Sequence, residues 1–361
     1  MRKEQITIKE GICILIIFIM GSTFIVGVGG DAKNSAWISV ILGAILAVPM
    51  MLVYGRIALL FPGKDLYDIL ETVLGKTFAR IVSVIYIWYI FHLGALVIRN
   101  FGEFINVTTL PETPMIVSMF YLGIVCVVSV KSGIEVIGRI SAYVLPIIVL
   151  ILVIVQILGI SILNFRYLKP IIGNGFIPIL KGAFSAFSFP FAESVVFMGI
   201  LFSVKNQKSQ YKILFSGLVF AAVVITILTV RNTVVLGEGM NIHYFPSLEA
   251  VGRIAIGEFI ERIEVSVSIV FVFGVFVKTS ICLLTVCRGI AKVFNLDDYR
   301  SIVIQTGLLM IYLAHILYSN TMEMRYWAFK VYKYYAFPFQ VIIPLLLLLI
   351  AELKVRKKQA A

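Results

Sequence analysis

The sequence predicts an all-α integral membrane protein in which ten transmembrane helices form a 5+5 inverted repeat, with helices 1 and 6 broken in mid-membrane. Three observations predict it. Of the 361 residues, 60% are apolar and 14% are charged, against roughly 45–50% and about 25% in soluble domains. Ten stretches are apolar over the ~20 residues that a bilayer-crossing helix needs. Two of those stretches, five apart in order, are interrupted near their middles by Gly, Ser and Pro.

The stretches lie at 10–30, 36–60, 80–106, 114–131, 140–163, 177–204, 213–237, 262–294, 301–319 and 335–353. They make one membrane domain over 1–361, divided into repeats at about 10–163 and 177–353. Alternate connections carry nineteen Lys and Arg on one side and nine on the other, with Arg99, Arg231 and Lys278 inside spans. Cytoplasmic loops retain the bases, so both termini are expected in the cytoplasm. No small-residue cleavage site follows the first apolar run; span 1 is expected to remain as an anchor, with no separate soluble domain. The net charge of +12 reports this topology and contact with the lipid bilayer, not nucleic acid. Between spans 2 and 3, Pro62 and Gly63 punctuate the chain, and Leu66, Tyr67, Ile69, Leu70, Val73 and Leu74 recur at helical intervals. That pattern predicts an amphipathic helix lying along the membrane surface.

Span 1 is interrupted at Gly21-Ser22-Thr23, with Gly27, Gly29 and Gly30 following, and span 6 at Ser185, Ser188 and Pro190. Pro190 removes a backbone donor and clashes with the preceding turn. Groups freed at that depth must face protein or a cavity. A repeat of five helices, being odd, turns its second copy upside down, and paired breaks at matching places are the signature of inverted-repeat transporters with a site between them. Taken singly, each break is as well explained by helix packing. Amide groups around Gly21 to Thr23 attract an anion such as a carboxylate, and carbonyls near Phe187 and Ser188, with those ending the inner half of span 1, hold an ammonium. A free amino acid fits that combination better than a sugar or a metal ion.

Lys278 stands in the middle of span 8, where an ammonium costs ~2.5–3.5 kcal/mol or more unless it is paired or hydrated. Glu193, two residues past the expected restart of span 6 at Phe191, is its expected partner, or else a cap for the restarting helix. Arg99 with Glu103, and Glu135 with Arg139, are spaced to pair along single helices, and Arg231 is expected to snorkel from the outer end of span 7. On span 3, Tyr89 and Leu93 are candidate pocket residues among aromatics that more often pack. The three His at 92, 243 and 315 are scattered, the four Cys sit in apolar stretches, and no Gly-rich phosphate loop or nucleophile motif occurs. No enzyme, metal site, cofactor or self-contained pump is expected.

Ten spans, breaks at Gly21-Ser22-Thr23 and Ser188-Phe189-Pro190, the connector FPGKDLYDILETVLGK and the Glu261-Arg262-Ile263-Glu264 start of span 8 occur here in order. In that ordered set the chain resembles, over essentially its whole length, the B subunits of bacterial spore germinant receptors, within the amino acid, polyamine and organocation superfamily. The resemblance implies a LeuT-type fold in the spore inner membrane. It also implies a complex with a membrane-embedded A subunit and a C-subunit lipoprotein, and a small-molecule germinant, an amino acid, bound where a transporter would hold its substrate. By position it implies a pocket lined by Gly21 and Ser22 on span 1, Leu93 on span 3, Pro190 and Glu193 on span 6, and Lys278 with Cys282 one turn on along span 8. The rival readings are a proton- or sodium-coupled secondary amino acid permease, with Lys278 or Glu193 as protonation switch, and a scaffold whose breaks hold no ligand.

Overall fold

The computed structural model describes residues 4–173, 175–254 and 263–360. Within it the predicted spans 2 to 5 and 7 to 10 become eight helices long and apolar enough to cross a membrane, and the other two are the interrupted ones. Span 2 is Ala36–Leu60, span 3 Lys76–Thr108, span 4 Met115–Ser132 and span 5 Ile134–Leu158. Span 7 is Gln210–Leu236, span 8 Glu264–Phe294 and span 9 Val303–Ile316. Glu261 and Arg262, read as the start of span 8, lie outside the described residues.

Span 1 opens on a capping box: Glu10 donates its N–H to the Thr7 hydroxyl at 3.2 Å, and Thr7 donates its own to the Glu10 carboxylate at 2.6 Å. The helix runs Ile8–Met20 and, past Lys9 and Glu10 in its first turn, is apolar around its whole circumference, as a helix at the centre of a bundle must be. It stops at Gly21 and resumes for one turn, Thr23–Val26. Beyond it Gly27 and Gly29 take φ of 74° and 73°, a region that favours glycine.

Span 6 is helical over Phe176–Ser188, but no α-helix restarts at Phe191. After Pro190 the chain winds as 3-10 helix, Phe191–Gly199 and then Leu201–Ser203, and the Ser194 hydroxyl takes the Phe191 carbonyl at 2.7 Å. Span 10 departs furthest from its predicted bounds. It begins at Thr321 and contains two π-helical turns, Trp327–Val331 and Pro338–Ile342. The bases Lys330 and Lys333, read as loop charges, therefore ride on a helix.

The connector helix spans Leu66–Leu74, capped by the Asp65 carboxylate on the Asp68 N–H at 2.8 Å. Its apolar face is buried, but not on lipid. Leu66, Tyr67, Ile69, Leu70 and Val73 pack on spans 3, 8 and 10, so periodicity found the face and missed its cover. Glu135 and Arg139 do not form the expected ion pair. The Glu135 carboxylate accepts the Gln5 N–H at 3.0 Å, while Arg139 donates to the Glu135 backbone carbonyl at 3.3 Å. Arg99 and Glu103 do pair, at 2.7 Å, and they tie span 3 to the junction of spans 9 and 10 through the His315 carbonyl and the Thr321 hydroxyl.

The break in span 1 is wedged against span 8 by two glycines. A Cβ added at Gly274 would stand 2.9 Å from the Gly21 Cα, and one added at Gly21 would stand 3.1 Å from the Lys278 side chain. Gly274→Ala is therefore expected to lower stability by about 1–3 kcal/mol through overpacking, whereas Gly252→Ala, whose Cβ meets nothing within 4 Å, should change it by no more than about 0.5 kcal/mol. Unfolding of the two variants in detergent, measured side by side, checks the contact; equal effects would contradict it.

Candidate functional site

Lys278 is fully buried and donates its Nζ to one oxygen of Glu193, which is also fully buried. The same ammonium lies 5.2 Å from the ring centroids of Phe18 on span 1 and Phe189 in the span 6 break, within cation–π range. Glu193 therefore does not cap a helix. Its second oxygen accepts the Tyr332 hydroxyl at 2.6 Å. From there the network continues: the Tyr332 and Tyr89 hydroxyls lie 3.4 Å apart, and Gln340 donates to the Tyr89 hydroxyl at 3.0 Å and to the Ser188 carbonyl at 2.9 Å. Ser188 returns a hydroxyl bond to the Gln340 side chain at 3.1 Å. A carbonyl exposed by the span 6 break is thus satisfied by a side chain from a π turn of span 10, as buried polar groups require.

Between the two breaks lies a cavity walled by Ser22, Leu93, Phe189, Glu193, Trp327 and Tyr332, among others. The Ser22 hydroxyl is buried and has no hydrogen-bond partner among the described residues. Other sequence-derived candidates stand around this cavity rather than in its wall. Gly21 gives its N–H to the Ile17 carbonyl at 2.8 Å, which removes it from any anion site, and Thr23 bonds the Met20 carbonyl at 2.5 Å. Tyr89 and Ser188 support the network from behind, and Pro190 makes the turn. Cys282 packs into span 3, where a Cβ on Gly94 would approach its own Cβ to 3.2 Å. The outer half of span 1 is a single turn, too short to offer the dipole expected of a half-helix.

Sequence reasoning missed Trp327, Tyr332 and Gln340. Only Gln340 carried a signal, as a lone amide within the predicted tenth span. Away from the face that carries the N-terminus, Asp31 lies 3.3 Å from Lys330 and 3.4 Å from Lys333, and Lys333 also donates to Ser185 at 3.0 Å, which links the short helix Gly30–Ser35 after span 1 to spans 6 and 10. No cluster of three or more His, Cys, Asp or Glu suited to a metal ion occurs among the described residues.

A family model described as spore germination protein matches residues 5–323. The chain belongs to the spore germination protein family. Spore germination protein KB of Bacillus subtilis (strain 168) is 27% identical over 368 residues, covering 99% of this chain and 98% of that protein. Spore germination protein GerQB of Bacillus cereus is 26% identical over 332 residues, covering 88% and 89%. These relatives place the chain with the B-subunit-like proteins of germinant receptors. Among solved structures, Mhp1, a nucleobase-cation-symport-1 family transporter, aligns with a TM-score of 0.68 at 12% identity over 89% of this chain and 75% of Mhp1. MhsT in complex with L-phenylalanine aligns at 0.67 and 12% over 98% of this chain and 99% of MhsT. The fold is the LeuT type.

A buried ion pair broken on one side leaves an uncompensated charge, at about 3–5 kcal/mol. Glu193→Gln and Lys278→Met are each expected to lose that much stability, and the double variant clearly less than the two losses added together. Denaturant unfolding of all four proteins measures the coupling; additive losses would show that the two residues do not act as one unit.

Proposed function

We propose that this protein is the nutrient-sensing subunit of a spore germinant receptor. A free amino acid binds in the cavity between the breaks of spans 1 and 6, and its binding favours one conformation that is passed to an A subunit and a C-subunit lipoprotein. The chain sits in the spore inner membrane with both termini cytoplasmic. The observation that carries the reading is the cavity between the two breaks, lined by Ser22 with its unpartnered hydroxyl, by Glu193, and by Leu93, Phe189 and Trp327. Lys278, which does not line the cavity, cancels the charge of Glu193, which does, so the site is net neutral and suits a zwitterion whose side chain is apolar.

Sensing is favoured over sodium-driven uptake by Lys278. Its ammonium, held between Phe18 and Phe189, is a cation at the meeting point of the breaks that is fixed to the chain. A tethered ammonium cannot leave the site as a sodium ion does, so no sodium gradient can drive a cycle through that position. The permease reading rests on the Lys278–Glu193–Tyr332 chain as a proton path. The two readings predict opposite outcomes in vesicles holding this chain alone: binding of labelled amino acid without accumulation for the sensor, accumulation for the permease.

A ligand shifts an equilibrium only by binding its two states unequally. Leu93→Trp, which fills the cavity from span 3, is expected to raise the nutrient concentration for half-maximal germination at least tenfold, about 1.4 kcal/mol, with the protein still present in the spore membrane. An unchanged dose response would remove this cavity from the account.

A further inference from the structure

Where the connector helix meets the start of span 3 and the end of span 8, on the face where Glu4 reaches Arg288, the chain leaves a cavity of about 200 Å³. A single water needs only ~10–15 Å³, so there is room for a larger group. Lys76, Arg80 and Ser83 recur at helical spacing along one side of span 3 and line it, as do Tyr67 and Glu71 from the connector helix and Lys292 from span 8.

The charges in these walls are unevenly matched. Lys292 is engaged twice, by Asp68 at 2.6 Å and by Glu71 at 3.0 Å, and Glu71 is the single carboxylate among the described walls. The side chains of Lys76 and Arg80 make no hydrogen bond or ion pair among the described residues. Lys292 first, and Lys76 and Arg80 after it, hold the Glu71 carboxyl below the usual carboxylate range, so the field of both free bases reaches this wall. Span 3 starts at Lys76 with no side-chain cap, which leaves the positive end of its dipole uncovered. Tyr67 is 1% exposed, and its hydroxyl has no partner among the described residues, a costly state for a buried donor.

The surface around the cavity is bare hydrocarbon. Val84 and Trp88 stand exposed one and two turns along span 3 from Arg80, with Ile81 and Ile85 exposed beside them. Phe78, between Lys76 and Arg80, and Phe294, next to the lining Val293, are exposed as well. Bases and apolar surface thus adjoin as headgroups and acyl chains do in a bilayer, and a basic pocket between membrane helices is a place where anionic lipid headgroups bind.

We infer that this cavity is a binding site for an anionic phospholipid, its phosphodiester held by Lys76 and Arg80 and an acyl chain lying along Val84 and Trp88 of span 3. Free inorganic phosphate shares the headgroup chemistry but has no use for the apolar row. A headgroup there bridges the connector helix to spans 3 and 8. The site stands apart from the proposed function and does not rest on it.

The test uses the full chain in detergent, its melting temperature followed as phosphatidylglycerol replaces phosphatidylcholine at constant total lipid. A saturable rise is expected, about 2 °C at ten times the dissociation constant. It should fall by at least half in the double variant Lys76→Gln, Arg80→Gln, whose positions are exposed, and survive in Lys131→Gln, Lys208→Gln, which removes as much charge from exposed positions outside the cavity. Inorganic phosphate at the same concentration should give no rise. No saturable difference between the two lipids on the wild-type chain, a comparison that needs no variant to fold, would overturn the site. Equal losses in the two double variants would overturn it too, by showing that diffuse charge suffices. A rise of the same size from inorganic phosphate would assign the cavity to a soluble phosphate and overturn the lipid.

Discussion

The buried contact between Lys278 and Glu193 is the constraint from which the rest of the site follows. It joins span 8 to the 3-10 stretch of span 6, and the rings of Phe18 and Phe189 bring span 1 and the span 6 break to the same ammonium. Replacing such a pair by apolar residues is often neutral for stability, but removing one partner is not, so a buried pair acts more as a specification of geometry than as a source of stability. Here it specifies that two helices stop opposite each other. Tyr332 and Gln340 then complete the polar shell from span 10, and the carbonyl exposed by the broken helix finds its donor there.

The pairs at the two faces are of a different kind. Near the N-terminus, Glu4 accepts Arg288 and the Tyr299 hydroxyl, both at 2.8 Å, and also Arg300, while Ile6 pairs with the end of span 6 through Ser203 and Lys205. On the opposite face Asp31 meets Lys330 and Lys333. Several of these groups are partly exposed, and exposed pairs contribute about 0–1 kcal/mol each. They tie the spans together at the two faces through small terms. The Lys278–Glu193 pair at the centre is, by contrast, wholly buried.

Residue pattern carried much of this. Lengths of apolar sequence located the spans, the Gly21-Ser22-Thr23 and Ser188-Phe189-Pro190 interruptions located the breaks, and an ammonium with a carboxylate in otherwise apolar helices announced their need for each other. What pattern lacks is the identity of the neighbour. Spacing put Arg139 beside Glu135, but the N-terminal strap claimed that carboxylate; periodicity gave the connector helix an apolar face, but not the protein surface that covers it. The π turns of span 10 depend on hydrogen bonds that tertiary contacts impose, so a run rich in Tyr, Phe and Lys reads as a loop until the helix is seen. Arg231 misled for a related reason: its place near a helix end suggested water, whereas the helix Pro246–Gly252 covers it.

A nutrient held in the space between the two breaks lies against Ser22, so the Ser22 side chain reports on that space most directly. Ser22→Cys, in a chain whose four native cysteines are replaced by Ser, offers a single thiol in the cavity wall, whose rate of modification by a small membrane-permeant alkylating reagent can be followed with and without amino acid. The account predicts that the amino acids able to trigger germination slow that rate in a saturable manner while others do not. A rate indifferent to every germinant, in protein shown to be folded, would contradict it.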